Sequence, residues 1–147
     1  MTVVQRNSLG PQLTLTSKIW RQALDARFRP LGLTQAQWLC LLELKRAERA
    51  LSQSDLALRL GIEAATLVRL LDRMEQRGWI QRMLDNKDRR TKRIALTEQA
   101  HGIASRVQHV ADRFREELLA GIPQEELQIC SRILNLIYDR ALGQLNP

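Results

Sequence analysis

The segment LSQSDLALRLGIEAATLVRLLDRMEQRG, residues 51–78, leaves the chain little choice of local structure. Ser52, followed three residues later by Asp55, resembles a capping box with Asp in place of the preferred Glu or Gln. Leu56, Ala57 and Leu60 then line one helical face. Gly61 supplies the left-handed residue that closes a helix, and Ile62 follows as its apolar lock. The next helix carries Leu67, Leu70, Leu71 and Met74 on one face, while Arg69, Arg73, Gln76 and Arg77 point elsewhere and Gly78 ends it. Two short helices joined by a tight glycine turn predict a helix-turn-helix.

Beyond Gly78 the period changes. Trp79 to Leu84 is β-prone, Asp85 to Arg90 is a polar turn, and Lys92 to Leu96 returns as a strand. This predicts a hairpin with a basic tip, a wing directly behind the second helix.

The flanking segments read as helices. Leu9, Leu13, Ile19, Trp20, Ala23, Leu24 and Phe28 follow helical spacing up to Arg29-Pro30, where proline disfavours continuation. Thr34 can cap a helix bearing Trp38, Leu41, Leu42 and Leu44. Thr97 can cap another, with Ile103, Val107, Val110, Phe114 and Leu118, before the break at Gly121 and Pro123. The last helix has one apolar row, Leu127, Cys130, Leu134, Ile137 and Ala141, and a second beside it, Ile129, Ile133 and Leu136. One row can pack on the parent chain; a second needs another surface, and a second copy supplies it most simply. The expected dimerisation residues are Leu9, Leu13, Leu118, Leu127, Cys130, Leu134, Ile137 and Ala141. The fold expected is mainly α (α+β): one domain over 1–147, with a winged helix-turn-helix lobe at 31–97 and a helical dimerisation region at 1–30 and 98–147.

Charge sharpens this picture. The chain carries 23 Lys plus Arg against 16 Asp plus Glu, a net +7. Residues 69–93 contribute +5 of that balance, residues 1–30 contribute +4, and residues 97–147 contribute −2. The excess sits on the second helix and the wing, which suggests an anionic partner there.

Other classes are excluded. No stretch approaches the roughly 18 apolar residues of a membrane span. The opening MTVVQRNSLGPQL lacks the apolar core of a secretion signal, so a cytoplasmic location is expected. His101 and His109 fall roughly 80° apart around a helix, so no metal site is expected there. Cys40 in WLCLLEL and Cys130 on a helical seam are expected to act as small hydrophobes. No Gly-rich phosphate loop and no nucleophile–base grouping stands out, so no enzyme and no cofactor are expected. An aromatic content of 4% argues against a stacking platform for single strands.

Double-stranded DNA fits best. A helix of about 10–12 Å diameter enters a major groove about 12 Å wide. Thr66 and Arg69 would reach base edges, and Arg73 and Arg77 phosphate. Arg89 and Arg90 at the tip suit the adjacent minor groove, with Asp88 expected to hold one of their guanidinium groups. Ser52, Gln53 and Ser54, together with Lys87, Lys92 and Arg93, are expected phosphate contacts. A second reading is a winged-helix module that binds protein, or that coats DNA without reading its sequence.

The matching stretches IWR at 19–21, PLGLTQAQW at 30–38, LGIEAATLVRLLDRMEQRGWIQR at 60–82 and DRRTKRIALTEQA at 88–100 resemble the MarR family of winged-helix regulators, closest to its SlyA branch. The resemblance implies a homodimeric transcription factor on inverted-repeat operators, repressing or activating by displacement of other bound proteins. It places Arg69 at the base-reading arginine and Asp88, Arg89 and Arg90 on the wing motif. It also implies a possible salicylate-like effector near Thr34, Trp38 and Arg69.

Overall fold

The computed structural model describes residues 8–145. Helix α1 spans Leu9–Phe28 and ends in a 3-10 turn at Arg29–Leu31, where Gly32 takes the left-handed conformation. Helix α2 (Gln35–Ala47) starts in a complete capping box: the Thr34 hydroxyl accepts from the Gln37 amide, and the Gln37 side chain accepts from the Thr34 amide. Strand β1 (Leu51–Ser52), α3 (Gln53–Leu60), α4 (Ala64–Gln76), β2 (Ile80–Leu84) and β3 (Lys92–Leu96) follow. A 3-10 turn at Glu98–Ala100 leads into α5 (His101–Leu118), and α6 covers Gln124–Leu145. The fold is mainly helical, with one small antiparallel sheet.

That sheet has three strands in the order β1-β3-β2. The expected hairpin is present, registered from Ile80 opposite Leu96 to Leu84 opposite Lys92. The addition is β1, which pairs Leu51 with Ile94 and Ser52 with Arg93. It ties the entrance of the helix-turn-helix to the wing, and Leu51 and Ile94 are both fully buried there.

The chain forms two compact units, one through Phe114 and one from Arg115 onward. In the first, the core ignores the boundaries expected at residues 30 and 97. Leu24 and Phe28 of α1 and Val107, Ala111 and Phe114 of α5 share one core with Trp38, Leu56, Leu67 and Ile94. Aromatic packing carries the crossing at residue 30, where Phe28 stacks on Trp38 at 4.8 Å; Trp20 meets Phe114 edge-on at 5.7 Å and joins α1 to α5. The Trp38 indole N–H donates to Asp25 at 2.9 Å, which satisfies its one polar group.

In the second unit, α6 has no buried residue. Ile129, Ile133 and Leu136 of its second apolar row are 46–49% exposed. Of the other row, Leu127 and Ile137 are half-buried, while Cys130, Leu134 and Ala141 are exposed.

Gly78 joins the second helix of the pair to the wing. Its φ of 71° is left-handed, and its carbonyl accepts the Thr97 hydroxyl at 2.5 Å. An added Cβ would also meet Gln99 Oε1 at 2.9 Å, although that side-chain end can move. Gly78→Ala is expected to cost about 1–2 kcal/mol, the left-handed penalty of an L-residue. Denaturant unfolding measures it, and an unchanged midpoint would contradict this account.

Candidate nucleic-acid interface

Helix α4 is divided lengthwise. Leu67, Leu70, Leu71 and Met74 are all within 1% of full burial, which fixes its rotation about its own axis. Thr66, Arg69 and Arg73 therefore stand exposed on the opposite side. The turn before α4 is closed by Gly61 at φ 64°, with the Ile62 amide donating back to the Ala57 carbonyl at 3.2 Å. At the start of α3 the Ser52 hydroxyl accepts from the Asp55 amide at 3.1 Å. This is one half of the capping box, since Asp is a methylene shorter than the Glu that completes it. Ser52 is therefore already engaged, whereas Gln53 and Ser54 face outward into a cleft.

That cleft, about 530 Å³, lies between α3, α4 and the wing. It brings together four residues expected from sequence to touch the partner: Gln53, Ser54, Arg90 and Lys92. It also contains Val68, Asp72 and Arg82, which the sequence reading passed over. Arg82 on β2 donates to Asp72 at 2.6 Å and to Glu75 at 2.5 Å. Burial alone would lower its pKa, and the hydrogen bonds it donates to these two carboxylates outweigh that and raise it. The spacing of Asp72 and Glu75, three apart on a helix and followed by an arginine after the glycine turn, was the available signal.

The wing tip is organised by two aspartates. Asp85 accepts from the Lys87 amide at 2.9 Å and from two nitrogens of Arg93 at 2.8 Å. The Lys87 amide first, and Arg93 second, hold its carboxyl below the usual carboxylate range. Asp88 corrects an expectation. It does not hold an arginine guanidinium: its oxygens accept the Arg90 backbone amide at 2.9 Å and the Thr91 hydroxyl at 3.3 Å. An aspartate two residues before an amide closes an Asx turn more readily than it reaches a neighbouring long side chain.

These pairings redistribute the +5 of residues 69–93. Three of the four acids and two of the nine bases are consumed in the Arg82 and Arg93 pairs. Arg69, Arg73, Lys87, Arg89, Arg90 and Lys92 are exposed and make no ion pair among the described residues. Arg77 lies over the Trp79 ring at 4.8 Å, so the indole anchors the helix end and the guanidinium stays exposed. The unpaired positive charge thus sits on the outer face of α4 and on the wing.

The three residues expected around an effector stand in different settings. Trp38 is 1% exposed and belongs to the core, Thr34 is engaged in its capping box, and Arg69 stands on the outer face of α4. A different cleft, also about 530 Å³, is lined by Thr14, Ser17, Lys18, Arg21, Gln22 and Gln35. Cys40 is buried, and burial, with the Glu43 charge second, pushes its thiol up to about 12. A neutral thiol in that setting is a poor nucleophile. Cys130 is exposed.

Because the Asp85 carboxyl is held low, its contribution to wing order is present above the ordinary carboxylate pKa and lost as pH falls through the lowered folded-state value. The Lys87 amide resonance followed by NMR is expected to keep its neutral-pH position through the ordinary carboxylate range and move only below it. A midpoint at the ordinary aspartate value would remove the assigned role of Asp85.

Residues 33–92 match the MarR family. The solved transcriptional regulator PA3341 is 38% identical, covering 91% of this chain and 98% of that one, with a TM-score of 0.85. The transcription regulator MarR from Oenococcus oeni PSU-1 is 26% identical, covering 89% and 98%, with a TM-score of 0.71. A mutant of MarR from E. coli, solved in complex with operator DNA, shares the fold at 22% identity and a TM-score of 0.70, covering 88% and 92%. With the family match lying on the helix-turn-helix and wing, and the identity to PA3341 running over nearly all of both chains, this protein belongs to the MarR family of transcriptional regulators.

Proposed function

We propose that this protein is a homodimeric regulator that binds double-stranded DNA at inverted-repeat operators and reads their sequence. The observation that carries the reading is the cluster of six exposed cations, unpaired among the described residues, on the outer face of α4 and the wing, around a cleft that also presents Gln53 and Ser54. In this reading α4 enters the major groove, where Thr66 and Arg69 meet base edges, and Arg73 and Arg77 lie against phosphate. Arg89 and Arg90 enter the adjacent minor groove, and Lys87, Lys92, Gln53 and Ser54 hold the backbone. Ser52 and Arg93 act indirectly, through the α3 cap and the Asp85 pair. The exposed second apolar row of α6 supports a second copy as its cover, since exposed patches of that kind mark interaction sites. The wing sequence D-R-R-T-K-R-I-A-L-T supports placement beside the SlyA branch. Operator occupancy then represses, or activates by displacing another bound protein, in the cytoplasm.

Regulation by a small aromatic anion is the second part of the proposal. Lys18 and Arg21 in the α1 cleft, with Gln22 and Gln35, offer charge and hydrogen-bond donors for a carboxylate. Arg21→Ala is expected to weaken any salicylate response while leaving DNA affinity in its absence unchanged; a full response in that variant would remove the cleft from the proposal.

Selection of bound duplexes from a random pool tests the main reading. It should return inverted repeats whose half-sites lie about one helical turn, or about 34 Å, apart. On such a site Arg69→Ala is expected to cost about 1–3 kcal/mol, with little loss on random duplex. Lys92→Ala should weaken both alike and lower the salt slope by about 1. Equal losses for Arg69→Ala on cognate and random duplex would instead favour an architectural coat.

A further inference from the structure

One carboxylate stands where a DNA-binding cleft should not have one. Asp72 lines the same cleft as Gln53, Ser54, Arg90 and Lys92, and Glu75 follows it one turn along α4. Their side chains are 53% and 45% exposed. On charge alone both would repel phosphate. Arg82 answers them from the first strand of the wing. Its two terminal nitrogens reach Glu75 Oε2 at 2.5 Å and Asp72 Oδ1 at 2.6 Å, and the second also approaches the Val68 carbonyl at 3.5 Å. Val68, Asp72 and Glu75 are spaced four and three residues apart, so one guanidinium spans two turns of the helix.

The geometry points to Arg82 as a positioning residue for DNA binding, one that sets the wing against α4 through Asp72 and Glu75. The inference rests on the DNA reading above. A planar fork of five fixed donors suits the task, whereas a lysine offers three rotatable donors on a single nitrogen. Isolated exposed pairs contribute little, but here a guanidinium 16% exposed holds two carboxylates at once. The tie acts midway along the hairpin: Arg82 pairs with Ile94 across β2 and β3, the third of five pairs, and the tip that carries Arg89 and Arg90 lies beyond it. A small change of angle at Arg82 is therefore amplified at the tip, and the minor groove, about 6 Å wide, tolerates little of it.

The test turns on a sign. Asp72→Asn with Glu75→Gln makes the protein more positive by two charges, so simple attraction predicts tighter binding to any duplex. A positioning role predicts the reverse. With the full chain and a selected cognate duplex, Arg82→Met and the Asp72→Asn/Glu75→Gln pair are each expected to weaken binding roughly tenfold, and the triple variant no more than the weaker of the two. Arg82→Lys should fall between Arg82→Met and the wild type. The salt slope should also flatten by about 1 in Arg82→Met, as wing contacts to phosphate are lost. Wild-type or tighter affinity in the Asp72→Asn/Glu75→Gln pair, wild-type affinity in Arg82→Met, or a triple loss equal to the product of the two would each overturn the inference. Should Arg82→Met fail to fold, the carboxylate pair carries the test alone. Amide exchange in residues 80–96 of the free protein separates this failure from that of the DNA reading. Faster exchange in Arg82→Met, beside a wild type that binds no duplex, would keep the tie while sinking its purpose. Unchanged exchange would sink the tie itself.

Discussion

The burial of one face of α4 is the constraint on which the rest depends. Fully burying a Leu or Met side chain is worth about 1.5–3 kcal/mol, and α4 buries four of them in a row. Rotating the helix by one residue, about 100°, would bring Arg69 or Asp72 toward the core and lift Leu70 or Leu71 into water. The outward presentation of Thr66, Arg69 and Arg73 is therefore a consequence of packing and costs the exposed residues nothing extra. The same core reaches α1 through the Phe28–Trp38 stack and α5 through Val107 and Phe114. The presenting helix is thus set in a framework wider than the lobe that contains it.

On that framework, ion pairing decides where charge emerges. Exposed salt bridges contribute little to stability, but they determine which cations remain open to a partner. Arg82 and Arg93 are paired along the strands of the wing, while Lys87, Arg89 and Arg90 at its tip are not. A net charge spread evenly over residues 69–93 would give a diffuse field. The observed pairing gives two concentrated sources, one on α4 and one on the tip, separated by a neutralised strip.

Much of this was legible from sequence because it rests on local signals. Helical spacing marked α1, α2, α5 and α6, and Gly61 with Ile62 marked the turn between α3 and α4. What was not legible is non-local or too short to show a period. Two residues of β1 cannot display alternation, and their pairing with Ile94 and Arg93 crosses some forty residues of chain. Trp38 reads from its surroundings as either a wall or a core residue, and only its stack on Phe28 and its bond to Asp25 decide for the core. Gln37, three residues after Thr34, carried a readable capping signal. Asp88 misled because its neighbours in sequence are arginines, whereas the geometry of a turn favours backbone amides.

That last difference bears on how the tip works. Had Asp88 held the Arg89 or Arg90 guanidinium, a partner would have had to break a charge pair before gaining a new one. Instead Asp85 and Asp88 accept backbone amides, so they fix the path of residues 85–91 and leave both arginines uncommitted. Ordering a loop in advance reduces the conformational entropy lost on binding, and only side-chain rotamers then remain to be restricted. The Asp85–Arg93 pair extends the same order into the strand, where Arg93 lies opposite Met83. Acidic residues in a basic wing are thus compatible with an anionic partner when their oxygens face the backbone they organise. The net charge of the tip understates its reach, because the carboxylates are short and tied to the turn while the positive charge is carried on long side chains.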